Sequence, residues 1–158
     1  MWPVRNSSSN ATVDYKKLPS AISCTIGQFR MKLRACCGVL DKIAATRYAA
    51  KWDNVGLLVE PANCHVKRIY LTNDLTEAVM DEAIAYGANL IISYHPPLFT
   101  SFKRISQNNW KDRLVTQALK HDIAIYSPHT AHDAWKDGVN SWLIKATGIE
   151  VFIFWINL

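Results

Sequence analysis

The stretch Leu90-Ile91-Ile92-Ser93-Tyr94-His95-Pro96-Pro97 constrains the fold more than any other part of the chain. Leu90 to Ser93 is a short apolar run of strand-forming type. A Gly87-Ala88-Asn89 turn precedes it and two prolines stop it. A run this short, without polar alternation, reads as a strand buried on both faces of a parallel sheet. The prolines cannot continue a ladder, and Pro96 holds His95 extended. The imidazole therefore stands on a stiff loop just past the carboxyl end of a strand, where open α/β sheets gather their ligand chemistry. That placement suits a metal ligand or a proton carrier.

The device recurs one unit later. Ile123-Ala124-Ile125-Tyr126-Ser127 reads as a second short strand and runs into Pro128-His129. Both strands end Ser-x-His, with the histidines 34 positions apart (129 − 95). A βαβ unit takes about 30 residues or more, and Trp110 to Lys120 supplies the crossover helix. Sequential strands joined in this way are usually parallel neighbours. The spacing thus predicts an α/β fold, a layered sheet with parallel βαβ units, and places His95 and His129 on one rim.

The remaining elements follow from periodicity. Met31 to Tyr48 reads as a helix with Leu33, Cys37, Leu40, Ile43 and Ala44 inward. Asp53-Asn54 breaks it, Val55 to Val59 enters a strand, and Arg68 to Thr72 forms another. Asp74 or Thr76 caps a helix over Glu77 to Tyr86, whose buried stripe is Val79, Met80, Ala83 and Ile84. Asp74 has a second reading on the rim of His95, as a ligand or as an acceptor behind one. Trp52 reads as a core residue, with base or sugar stacking the alternative. Leu98 to Asn109 is a polar loop. Its Lys103 and Arg104 are either solvated charges or phosphate contacts. Asp133 shares a loop with His129. Gly138 to Thr147 is a helix with Val139, Trp142, Leu143 and Ala146 on one face, closed by Gly148.

A chain of 158 residues points to one domain. The net charge is +5, but the first 34 residues hold Arg5, Lys16, Lys17, Arg30, Lys32 and Arg34 against Asp14 alone. The basic balance therefore does not point to nucleic-acid binding by the core. No apolar run reaches the roughly 18 residues a membrane span needs. Cys24, Cys36, Cys37 and Cys64 match no zinc spacing and read as free thiols in a reducing compartment. Residues 1–30 form a polar, basic leader. It reads as disordered, with a mitochondrial transit peptide as the alternative. Residues 31–149 are the α/β domain. Residues 150–158 are an apolar tail, either one more buried strand or an ending that replaces a longer continuation, and prone to aggregate if exposed.

Five segments together carry a resemblance: Trp52-Asp53-Asn54-Val55-Gly56-Leu57, Leu71-Thr72-Asn73-Asp74-Leu75-Thr76, Ser93-Tyr94-His95-Pro96-Pro97, Ile125-Tyr126-Ser127-Pro128-His129-Thr130-Ala131 with Asp133-Ala134, and Gly138-Val139-Asn140 with Trp142-Leu143. In that order, over roughly residues 40 to 149, the chain resembles the NIF-three-like family (NGG-one-interacting factor three-like, GTP cyclohydrolase I type 2 homologues). The resemblance implies a three-layer α/β fold that binds two divalent metal ions. The family's first metal motif is commonly two adjacent histidines. His95 matches the second, and Tyr94 stands where the first would be. Asp133 matches the aspartate of the second motif and His129 its preceding histidine. A histidine and a glutamate in a helical motif near the family's C-terminus have no counterpart here, which implies a truncated, alternatively spliced form holding the N-terminal half.

The resemblance implies His95 and Asp133 as metal ligands, His129 as the catalytic base, and zinc, iron or manganese as the cofactor, with one ion or none in this chain. It implies a regulatory, interaction protein of cytoplasm and nucleus, with transcriptional regulators among its partners and a homo-oligomer in the full-length form. The alternative is a metal-dependent hydrolase of the GTP cyclohydrolase I type 2 kind, although no P-loop or other phosphate cradle is present.

Overall fold

A computed structural model of the chain describes residues 30–148. The leader reading for 1–29 and the tail reading for 150–158 lie outside the described residues. Four strands form the main sheet: β2 (Gly56–Val59), β4 (Ile69–Thr72), β5 (Leu90–Ser93) and β6 (Ala124–Ser127). Their order is β2-β6-β5-β4. β5 lies at the centre, parallel to both β4 and β6, with Ile91 opposite Tyr70 and Ile125. This is the doubly buried strand that the apolar run predicts. β2 is an edge strand of the opposite direction. It lies antiparallel to β6, with a register shift between Leu57 and Val59.

Side chains alternate across the sheet with the period of two that a pleat imposes. Tyr70, Ile91 and Ile125 join one core with Met80, Ala83, Leu114 and Ala118. These last four come from α2 (Glu77–Tyr86) and α3 (Trp110–Lys120). Leu90, Ala124 and Tyr126 face the other way, into a second core with Leu33, Cys36 and Val66. That face is covered by α1 (Leu33–Ile43) and by a two-stranded ribbon, β1 (Met31–Lys32) paired antiparallel with β3 (His65–Val66). Helices thus cover the sheet on both sides, and among the described residues no helix is long and apolar enough to cross a membrane.

The helix boundaries follow local chemistry. The Thr76 side chain accepts the Val79 N–H at 3.3 Å, so Thr76 and not Asp74 caps α2. Gly87 ends that helix at φ +75°, the left-handed conformation glycine adopts without cost. The Asn109 side chain caps α3 through the Lys111 N–H at 3.0 Å. The long helix expected over Met31–Tyr48 is three pieces: β1, α1 and a 3-10 turn over Thr46–Tyr48. Met31 and Lys32 pair with β3 instead of winding up, and Asp41 ends α1 by accepting the Thr46 N–H and hydroxyl, both at 2.8 Å. Ile43, expected inward, is exposed, while Cys36 is buried.

Three further expectations are corrected. His129 to Asp133 is a short helix, α4, not a loop. The last helix, α5 (Val139–Ala146), is placed as expected, but Trp142 and Leu143 face outward, with Trp142 68% exposed. Trp52 is 67% exposed and not a core residue.

Because Ile91 is fully buried beneath α2 and α3, Ile91→Ala should cost about 2–5 kcal/mol in urea unfolding. Leu119→Ala, at an exposed position of α3, should change stability by less than about 0.5 kcal/mol.

Candidate functional site

The carboxyl ends of β5 and β6 deliver two histidines to one rim. The strand-end serines explain how. Ser93 and Ser127 are fully buried. The Ser93 hydroxyl donates to the His95 carbonyl at 2.7 Å, and the Ser127 hydroxyl to the Tyr94 carbonyl at 2.8 Å. The Tyr94 and His95 N–H groups donate to the Thr72 and Asn73 carbonyls, both at 2.9 Å. The turn carrying His95 is therefore fixed by its own strand, by β6 and by the end of β4. The His95 and His129 ring centroids lie 5.6 Å apart, at 75°.

Each imidazole is held by a carboxylate. His95 Nδ1 is 2.9 Å from Asp74 Oδ1. His129 Nδ1 is 2.9 Å from both oxygens of Asp53. A carboxylate only accepts, so Nδ1 carries the proton in both rings and Nε2 of a neutral ring is left with its lone pair. That orientation is the usual one for a histidine that binds metal or takes a proton.

The two pairs differ in setting. The side chains of His95 and Asp74 are 51% and 71% exposed, whereas those of His129 and Asp53 are 20% and 0% exposed. Asp53 also accepts the Thr130 N–H at 3.1 Å, the Asn54 N–H at 2.8 Å and the Thr130 hydroxyl. Burial pushes the Asp53 carboxyl up. The Thr130 hydroxyl, His129 and the Thr130 and Asn54 N–H groups more than offset that and leave it below the usual carboxylate range. The network also fixes the backbone, since Thr130 accepts the Ala50 N–H at 3.0 Å. His129 itself sits at φ +29°, a conformation that non-glycine residues hold only where the surroundings impose it. After α4 the chain turns through Gly138, where a Cβ would come within 2.1 Å of the His132 carbonyl oxygen.

Tyr94 links the halves of the site. Its ring meets those of His95, His129 and His132 edge-on, with centroids at 5.1, 5.9 and 6.2 Å. Its hydroxyl donates to Asp133 Oδ1 at 2.6 Å. Burial, the Asp133 hydrogen bond and the nearby carboxylate charges push the phenol up to about 12, so it remains a donor. His132 Nδ1 is buried without a partner among the described residues. Trp52 stands beside the pair, its ring 6.3 Å from that of His129 and 6.1 Å from that of Phe99.

The structure thus brings together His95 and His129, the residues expected as ligand and base. Asp133 is tied to Tyr94. Among the described residues no three or more His, Cys, Asp or Glu side chains converge as metal ligands do. Two imidazoles are the donors that the described residues bring to this rim. Asp74 sits behind His95, the second of its two readings. Along the sequence Asp53 reads as a helix breaker and as part of the Trp52–Leu57 segment of the resemblance, with no site role. Its role was missed because it reaches His129 from 76 positions away, ahead of an antiparallel edge strand.

The sequence model of the Duf34/NIF3 family (NGG1p interacting factor 3) matches residues 31–153. The chain is 52% identical over 134 residues to NIF3-like protein 1 of Rattus norvegicus, covering 84% of this chain and 35% of that protein. It is 40% identical over 108 residues to a GTP cyclohydrolase 1 type 2 homolog of Bacillus subtilis, covering 68% and 29%. Among solved structures, a Bacillus cereus protein related to NIF3 superposes with a TM-score of 0.66 at 34% identity, over 74% of this chain and 32% of that one. The chain therefore spans about a third of the length of the relatives it matches.

Asp53→Ala should lower stability at pH 7 by about 1–3 kcal/mol, the cost of leaving buried donors unpaired. Because the folded carboxyl lies below its unfolded value, wild-type Asp53 stabilises above about pH 4 and loses that effect as pH falls further. The gap between wild type and variant in urea unfolding should accordingly narrow from pH 7 to pH 3.

Proposed function

The chain belongs to the Duf34/NIF3 family, and from that premise we propose that its strand-end rim is a partial divalent-metal site held by His95 and His129, in a regulatory protein that works through protein partners. One observation carries the site: two imidazoles with ring centroids 5.6 Å apart, each with Nδ1 committed to its own carboxylate. Asp74 and Asp53 fix the rings so that both Nε2 atoms are free to bind. Thr130 and Asn54 satisfy the remaining acceptors of Asp53, which keeps the inner ring from turning. A divalent ion such as zinc, iron or manganese would supply Lewis acidity there and lower the pKa of a bound water.

The regulatory reading rests on the donor count and on the family's description as an NGG1p interacting factor. Transcriptional regulators as partners, action in cytoplasm and nucleus, with mitochondria tied to the leader, and homo-oligomers of the full-length form belong to the same proposal. The hydrolase alternative is favoured by the name of the Bacillus subtilis relative. It assigns His129 as general base, and here chemistry decides between roles. With Nδ1 held by Asp53, His129 has a single lone pair at Nε2, which can bind metal or take a proton but not both.

Elemental analysis of the purified chain after exposure to zinc, iron or manganese is the test. About one ion per chain is expected, lost in His95→Ala and in His129→Ala. Metal content indifferent to both substitutions would remove the site. GTP turnover well above that of the His95→Ala variant would replace the regulatory reading with the hydrolase one.

A further inference from the structure

We propose that Cys37 and Cys64 are an oxidation-sensitive pair, which peroxide joins in a disulfide that ties α1 to the turn ahead of β3. The pair does not depend on the histidine rim, because it lies at the other end of β5. The Cys64 thiol donates to the carbonyl of Asn89, the residue before Leu90, at 3.2 Å. Contacts on both sides of Cys64 bring α1 to it. Glu60, four residues earlier, accepts the Arg34 Nε–H of α1 at 2.8 Å. His65, one residue later, pairs with Lys32, which directly precedes the helix. Cys37 follows Leu33 by one turn, and helical side chains lean toward the amino end of their helix. Cys37 therefore leans toward the end that these contacts hold against the Cys64 turn. Both thiols pack against the core that holds Leu33 and Cys36. Glu60 is within electrostatic reach of both, and Cys37 of Cys64.

Access selects Cys37 over its neighbour. Cys37 and Cys64 are half-buried free thiols, whereas Cys36 is buried. Peroxide converts the first sulfur it meets to a sulfenic acid and is itself reduced to water. The second thiol then attacks that sulfur. The S–S bond forms and the S–O bond breaks, and the oxygen leaves as a second water with the attacking thiol's proton. Two thiols are oxidised for one peroxide reduced. Burial pushes both thiols up, so they react slowly at neutral pH and the bond answers sustained oxidation. Losing Cys64 as a donor orphans nothing, since the Asn89 carbonyl keeps the Ala124 N–H at 2.9 Å. The tie falls on the layer with the fewest polar anchors. No side chain caps the amino end of α1. The Tyr126 hydroxyl, in the core that α1 covers, has no partner among the described residues. The Arg34–Glu60 ion pair is exposed, a kind that adds little.

Treating the full 158-residue chain with hydrogen peroxide under native conditions tests this. Remaining thiols are capped with N-ethylmaleimide before tryptic digestion and mass spectrometry. The expected product joins the peptide 35–42 to the peptide 52–67 and is separated again by dithiothreitol. It should persist in Cys36→Ala and vanish in Cys37→Ser and in Cys64→Ser. The oxidised wild type should melt about 5 °C or more above the reduced form, a shift that both serine variants lose. Thiols that go on to sulfinic acid without a cross-link would overturn the proposal. So would a bridge made through Cys36 or Cys24, or a Cys37–Cys64 bridge that leaves melting unchanged. The two serine variants remove different ends of the pair, so if one fails to fold the other decides.

Discussion

The in-register parallel pairing of β5 with β6 is the constraint on which the rest depends. Leu90 opposite Ala124, Ile91 opposite Ile125 and Ile92 opposite Tyr126 leave no freedom in how far each strand extends. Both strands are buried between two cores, and a slip of one residue would exchange the cores' side chains. With the register fixed, both strands end at the same height, and the residues after Ser93 and Ser127 reach one rim. The histidine pair is thus a product of sheet packing before it is a product of loop chemistry.

Packing brings the rings together, and polar contacts orient them. The two carboxylates come from different directions, Asp74 from the turn between β4 and α2 and Asp53 from the segment entering β2. The antiparallel edge strand matters for that reason. It returns the chain along β6 and places Asp53 beneath His129. Without it the inner imidazole would lack its partner, and the unusual backbone angle at His129 would lose the contacts that impose it.

The sequence announced the central elements because their signals are local. The runs Leu90–Ser93 and Trp110–Lys120 are strand and helix to the residue, and the repeated Ser-x-His pattern pointed to a common rim. Thr76 over Asp74 as the cap was also open to local reading, and it freed Asp74 for His95. What escaped depended on distant partners. The pairing of Met31–Lys32 with His65–Val66 overrode helical periodicity. Asp53 reaches His129 across 76 positions. Trp142 lies outward although its spacing fits an apolar stripe, because periodicity names a face and not what lies against it. Tyr94 could be read as a lost donor, but its hydrogen bond to Asp133 has no local signature.

The unequal shelter of the two histidines has a consequence for ionic strength. Dissolved salt screens charges in contact with solvent and barely reaches those sealed from it. The Asp53–His129 pair, with its carboxylate wholly enclosed, is insulated from the composition of the surrounding medium. The Asp74 carboxylate stands in the solvent, where dissolved ions screen its charge and water competes for the His95 Nδ1–H. An arriving solute therefore meets one compliant arm and one rigid arm, and the medium adjusts only the first.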